Sequence, residues 1–385
     1  MRHNQNNPLF QFQQAPINFN KLTEKSILQY CLGGTLYMPG TRKVVEKLMD
    51  RSLPNLTSMV MCLEDAIKEE EVAYAEDNVL DHLSTLYAAL QSNQLHLDQL
   101  PLIFLRVRDP EQFRTFIKKL QPEQAQVLSG FVFPKFYSHN ANLYLSELRE
   151  INLRLNTTLY GMPILEGRAI AYRETRVDEL QQLKAILRPY QDLILNIRVG
   201  GTDFSSLFGV RRSMHFSVYD ILPVRDALSD ILNFFNRADD GYVVSAPVWE
   251  YFLAYKQDDL NALAKNDIHH SLMAKNPILN PAIDGLLREI LQDKTNGMVG
   301  KTVIHPSHLV YVNAMQAVTQ EEYQDAKQIL EAKGGVIKSG HDNKMNEANP
   351  HRNWAHRVLS RAQAFGVITS DDDYIKLFMT TADAT

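Results

Sequence analysis

The sequence predicts an α/β protein, an eight-stranded (β/α)8 barrel with a C-terminal helical extension. Short β-branched or apolar runs recur along the chain, and each ends in polar or charged residues. A stretch of helical period follows each run, as in a parallel sheet clad by helices. No nucleotide-binding loop interrupts the pattern. No GxGxxG follows the first run, and Gly300-Lys301-Thr302 lacks the upstream glycine of a GxxxxGK[ST] loop, because that position is Thr295.

Eight runs read as strands: 34–38, 58–63, 102–107, 130–134, 159–165, 193–199, 242–246 and 298–304. The helical segments between them span 42–50, 70–90, 110–120, 140–152, 176–187, 224–237 and a long stretch from 257 to 292. Eight parallel strands in 385 residues favour a closed barrel over an open doubly wound sheet. Two more helical segments follow, 306–317 and 320–332, and then Gly334-Gly335, a polar stretch from Ser339 to Pro350 and a last helix over 351–365. The domain reading is an N-terminal extension over 1–27, a TIM-barrel catalytic domain over 28–318, and a C-terminal helical extension or lid over 319–385. The last part is too small for its own core and is expected to pack on the barrel or on a neighbouring subunit.

Composition narrows the function classes. Hydrophobic residues make up 45% and charged residues 22%, as in a soluble globular protein. A net charge of -5 offers no basic field for nucleic acid. No apolar stretch reaches the length of a membrane span, and the Gln-rich start has no signal-peptide core. Cys31 and Cys62 are the only cysteines, which excludes a disulfide framework and a cysteine-rich zinc site and suits a reducing cytoplasm. Cys62, inside an apolar run, reads as a small core residue.

In such a barrel the chemistry sits at the C-terminal ends of the strands. The runs end, in order, on Pro39-Gly40-Thr41-Arg42, Glu64-Asp65, Arg106-Val107-Arg108, Pro134-Lys135, Glu166, Gly200-Gly201-Thr202-Asp203, Ser245-Ala246-Pro247 and His305-Pro306. Four carboxylates and several cations are expected at one mouth. Magnesium takes one or two carboxylates and fills its octahedron with waters and substrate oxygens. Glu166 and Asp203 end neighbouring strands and are expected to share one ion. Such an ion would act as a Lewis acid on a carbonyl and a developing enolate, with an arginine fork for a carboxylate. The plainer reading is that these acids cap the following helices, that Arg106 pairs with Glu64 or Asp65, and that Lys135 is equally a structural ion-pair partner. His305 reads as a hydrogen-bonded residue of the rim. The pair His269-His270 and His139 read as solvated.

At these residues the chain resembles the citrate lyase β-subunit-like, or HpcH/HpaI aldolase-type, carbon–carbon bond lyases, relatives of malyl-CoA and citramalyl-CoA lyases. Leu36-Tyr37-Met38-Pro39-Gly40-Thr41-Arg42 resembles the family's "VPGxR", and Cys62-Leu63-Glu64-Asp65-Ala66 its "DLEDAV". Leu105-Arg106-Val107-Arg108 is similar to "VRVN", and Phe133-Pro134-Lys135 to "LPK". Ile164-Leu165-Glu166 stands where "IET" occurs, and Gly200-Gly201-Thr202-Asp203 where "GxxD" occurs. The segment from Gly297 to Pro306 is similar to "GFxGKxxIHP". The specificity lies in their common order from about Leu36 to Arg361.

The resemblance implies a lyase of the retro-aldol or retro-Claisen type. Its substrate would be a small hydroxy- or oxo-acid or its CoA thioester, cleaved through a metal-stabilised enolate. It implies Mg2+, or Mn2+, on Glu166 and Asp203, and Arg106 on the reacting carbonyl. Glu64 and Asp65 would hold metal waters, and Arg42 would contact CoA phosphates; apart from the resemblance, Arg108 and Lys135 are expected as substrate contacts from their places at strand ends. Lys344-Met345-Asn346-Glu347 stands in the place of "KMID", which implies Glu347 as an acid–base group reaching a neighbouring subunit of a homotrimer or a multiple of it. Thioester hydrolysis on the same scaffold and a non-catalytic ligand-binding or scaffold barrel stay open as alternatives. Three departures stand out. Arg108 replaces the family's Asn, Gly167 replaces its Thr, and Arg168, Arg173, Arg176, Arg211 and Arg212 add cations around the site. These resemble the divergent branch found beside tellurite-resistance genes, and extra arginines suit a more anionic substrate.

Overall fold

The computed structural model describes residues 1–5, 10–252, 279–338 and 345–378. Eight parallel strands form one sheet: β1 (Gly34–Pro39), β2 (Ser58–Cys62), β3 (Leu102–Arg106), β4 (Leu128–Phe133), β5 (Tyr160–Leu165), β6 (Ile197–Val199), β7 (Val244–Ser245) and β8 (Lys301–Val303). The order is β7-β6-β5-β4-β3-β2-β1-β8. A parallel bridge between Ala246 and Lys301 joins β7 to β8 and closes the barrel.

Helices follow the strands on the outside, among them Val72–Gln91, Pro110–Lys119, Ser138–Leu155, Arg173–Leu187, Leu222–Phe235 and Pro281–Thr295. The expected segments are present with shifted ends. The segment expected over 257–292 is described only from residue 279 onward, and His269-His270 lie outside the described residues. Pro110 and Pro281 sit in the first turns of their helices, where the missing N–H costs nothing. Among the described residues no helix is long and apolar enough to cross a membrane.

Strand periodicity divides the core in two. Outward residues such as Ile103, Leu105, Phe131 and Phe133 pack under the helices, where Phe133 stacks on Tyr144 at 4.6 Å. Inward residues such as Val60, Phe104, Val132 and Met162 fill the lower lumen. Above them the lumen-facing positions turn polar, which puts the site at the top.

The N-terminal stretch is laid across the opposite, lower end. His3 is buried, stacks on Phe365 at 4.3 Å and contacts the Cys31 carbonyl through Nε2 at 2.8 Å. Lys21 Nζ donates to the carbonyls of Ala125 at 2.5 Å and Leu128 at 2.6 Å. Gln13 N donates to Val367 O at 2.9 Å, and Ile17 N to Gln363 O at 3.0 Å. This strap therefore clasps the helix Ala348–Phe365 beneath the barrel. That helix packs along the helix Gln320–Glu331, with Val318, Ala326, Ile329, Val358 and Ala362 forming a separate apolar layer.

Candidate active site

The upper mouth holds a cavity of about 400 Å3, bordered by Tyr37, Arg106, Glu166, Arg198, Asp203 and Thr302 among others. A larger cavity of about 860 Å3 lies beside Asn236, Gly297 and Arg361, at the N-terminal end of β8. The barrel rule assigns the chemistry to the upper one.

Glu166 follows the last residue of β5, and its carboxylate is buried. Oε1 accepts the backbone N–H of Lys135 at 2.8 Å. Lys135 adopts the left-handed conformation, φ 46°, which turns that N–H inward after β4. Asp203 stands in the first turn of the short helix Gly201–Leu207. The two acids meet above Gly200. A Cβ built there would lie 2.5 Å from Glu166 Oε2 and 3.1 Å from Asp203 Oδ2, so both oxygens address one point and only glycine leaves room for them. Burial first, and then the Asp203 charge, hold the Glu166 carboxyl well above its usual range. Burial and the Asp65 charge likewise raise Asp203.

A second carboxylate group flanks them. Glu64 is buried, and burial raises its carboxyl although Arg106 and Lys135 oppose the rise. Arg106 Nη1 stands 3.1 Å from Glu64 Oε2, a contact of charge rather than an aligned hydrogen bond. Nη2 is 3.9 Å from the exposed Asp65, and Nε donates to Cys62 Sγ at 3.1 Å. Lys135 Nζ bridges Glu64 at 2.5 Å and Asp65 at 3.5 Å. The ion pairs that the plainer reading foresaw are thus present, while Arg106 still borders the cavity. Burial works against the Arg106 charge, but Cys62, Glu64 and Tyr37 outweigh it and keep the guanidinium protonated.

The other expected residues are placed differently. Arg108 donates through Nη1 to Leu63 O at 3.4 Å, beside the mouth rather than in its lining. Arg42 is exposed on the loop after β1 and stays out of the lining. Glu347 is exposed at the end of a two-stranded hairpin, Val336–Lys338 with Met345–Glu347, and the chain does not bring it to the cavity. Lys344 lies outside the described residues. Arg212 and Arg176 are buried in ion pairs with Glu289 at 3.1 Å and Asp230 at 2.9 Å, and Arg211 and Arg168 are exposed. His305 hydrogen-bonds Ser307 at 2.7 Å and stacks on Phe252 at 4.2 Å, as a rim residue should. Gly167 has its reason in packing, because a Cβ there would fall 2.1 Å from the Tyr137 ring.

Two lining residues escaped the strand-end reading. Cys62 is not simply core, since its sulfur faces the mouth and accepts from Arg106. Arg198 rises from inside β6, where an arginine between Ile197 and Val199 was the available signal. Lys301 is structural: it is buried against Glu289 at 2.9 Å and Asp293 at 2.7 Å.

Among the described residues no three His, Cys, Asp or Glu side chains assemble as metal ligands. The pair at Gly200 still suits an ion that needs only one or two carboxylates. A buried and a half-buried carboxylate aimed at one point, each disfavouring the other's charge, are also the arrangement a divalent cation relieves.

A family model described as the C–C bond lyase of the TIM-barrel fold matches residues 26–367. Among curated proteins none matches. Among solved structures, the chain is similar to the protein CitE from Mycobacterium tuberculosis in complex with magnesium, acetoacetate and coenzyme A. The identity is 15%, the TM-score 0.47, and the match covers 87% of this chain and 99% of that one. It is also similar to the malate synthase of Haloferax volcanii in a magnesium/glyoxylate complex, at 13% identity and TM-score 0.49, covering 73% and 74%. A citrate lyase β subunit from M. tuberculosis, complexed with oxaloacetate and magnesium, aligns at 14% identity and TM-score 0.39, covering 73% and 95%.

Proposed function

The chain belongs to the C–C bond lyase family of the TIM-barrel fold, and on that premise we propose a magnesium-dependent lyase that cleaves a small hydroxy- or oxo-acid, or its CoA thioester, by a retro-aldol or retro-Claisen reaction. One observation carries the proposal: Glu166 and Asp203 converge above Gly200 in the cavity that Arg106 also borders. Glu166 and Asp203 would hold the ion. When bound, it would supply a Lewis acid for the substrate carbonyl.

The chain's own groups divide the remaining work. Arg106 offers its guanidinium to the oxyanion that develops beside the breaking bond. Glu64 and Asp65 hold Arg106 and Lys135 in place, so the cation need not reorganise during the reaction. The buried lumen residues below keep bulk water from the floor of the site. Arg42 and Arg108, outside the cavity, are left as contacts for a longer thioester. Glu347 is assigned the proton transfer only as a residue that reaches a neighbouring subunit of a trimer.

The test is titration of magnesium into wild type and Asp203→Ala by calorimetry. Equal uptake by the two proteins removes the metal site and the proposal with it.

A further inference from the structure

Arg198 is the least provided-for charge in the mouth. Its side chain is 1% exposed and borders the cavity. Nη1 donates to Thr35 Oγ1 at 3.3 Å and Nη2 to Thr302 Oγ1 at 2.7 Å. Thr35 and Thr302 are register partners on β1 and β8, so two neutral hydroxyls hold the guanidinium from the facing wall. Its Nε is buried with no hydrogen-bond partner, and among the described residues no carboxylate forms an ion pair with it. Arg106, Arg176 and Arg212 each have one. Three of five N–H groups are therefore unmet, in a place where an unpaired charge is costly.

The neighbouring geometry shows what would meet them. Tyr37 has Arg106 Cζ at 5.6 Å and Arg198 Cζ at 5.5 Å from its ring centre. Two guanidiniums thus address one small cavity from around a single ring. Arg106 is neutralised by Glu64, whereas Arg198 is not. On β6, Ile197 and Val199 pack outward, so Arg198 faces the lumen, two residues before Gly200, over which Glu166 and Asp203 meet. Arg198 pairs in register with Ile164, two residues before Glu166.

We propose that Arg198, held by Thr35 and Thr302, is a specificity residue that takes a second anionic group of the substrate at the floor of the mouth. The substrate is then a small acid with two anionic groups. One lies at the Glu166–Asp203 level, and the other reaches down to Arg198 and completes its hydrogen bonds. The assignment rests on the proposed metal site for the upper group only.

Malate and lactate are stable 2-hydroxy acids that differ by a second carboxylate. Calorimetry with each, in the presence of magnesium, tests the assignment. Wild type is expected to bind malate at least about tenfold more tightly than lactate, because a buried bidentate carboxylate–arginine contact is worth about that much. Arg198→Met is expected to abolish the preference and leave lactate binding within about twofold. Arg198→Lys, which keeps the charge and loses the fork, should retain part of it and stands in if the methionine variant does not fold. Equal binding of malate and lactate by wild type overturns the assignment, as does a preference that survives Arg198→Met. Asp203→Ala separates the two readings. If it weakens both acids, the metal site stands whatever Arg198 does. If it weakens neither while Arg198→Met still removes the preference, the metal reading fails and the floor subsite survives.

Discussion

Substituting Gly200 by alanine tests the carboxylate pair without touching either carboxylate. Gly200 has φ −98°, outside the left-handed region that favours glycine, so the effect is chiefly one of space. The new Cβ would stand 2.4 Å from Glu166 Cβ and 2.5 Å from Oε2. Ordinary contact between non-bonded heavy atoms begins near about 3.5 Å, so the Glu166 side chain must retreat by about 1 Å. Magnesium demands near-ideal octahedral geometry at about 2.0–2.1 Å, and this retreat is about half a bond length. Magnesium affinity is expected to fall about 10- to 100-fold, the range typical of displaced ligand support, or about 1.4–2.7 kcal/mol. The folding cost of such overpacking is about 1–3 kcal/mol. Gly209→Ala is the control. Its φ of +63° adds strain, but nothing lies within 4 Å of the new Cβ, and magnesium binding should not change. Calorimetry with magnesium chloride gives the affinities, and urea unfolding gives the stabilities. A folded Gly200→Ala protein that binds magnesium as wild type does refutes the shared-ion geometry.

Three further outcomes are expected. Glu166→Gln keeps an acceptor for the Lys135 N–H and removes a buried like charge. Without magnesium it should unfold at higher temperature, with a gain of about 1–2 kcal/mol, and magnesium should no longer raise that temperature; a variant still stabilised by the ion sinks the ligand assignment. Because Glu166 and Asp203 are both held above their ordinary range, each keeps its proton longer folded than unfolded. Their stabilising contribution is complete below the ordinary carboxylate range and is lost as pH rises through the raised values. Magnesium must displace that proton, so its affinity should fall as pH falls, with proton release visible by calorimetry in two buffers of different ionisation enthalpy across a series of pH values; binding without proton release contradicts the raised carboxyls. Lys301→Met leaves Glu289 and Asp293 without their shared cation and should cost about 3–5 kcal/mol in urea unfolding; a loss under about 1 kcal/mol would make the buried pairs incidental.

The barrel was legible in the sequence because inward and outward faces of the strands both need apolar residues, which leaves continuous runs bounded by polar ends. The ends of those runs were less legible. β7 is only Val244–Ser245 and β8 only Lys301–Val303, since their flanks make single bridges and turns rather than a ladder. Glu166, Asp203 and Arg106 were singled out because the barrel rule looks to strand ends, and the structure gathers them at one cavity. Arg198 was missed by the same rule. It lies inside a strand, and only the period of two, carried across closure of the sheet, aims it at the cavity. Arg42 and Glu347 illustrate the converse. Their motif places resemble the family's, but position in a motif does not fix where a loop or hairpin side chain points.

The strap beneath the barrel also constrains the order of assembly. Gln13 and Ile17 bond to Val367 and Gln363, partners about 350 residues further along. No local pairing can substitute for them. During synthesis the strands from β1 onward emerge while the floor is still open, and Phe19, Cys31 and Leu32 wait uncovered until Phe365 arrives. Closure of that end therefore requires the complete chain.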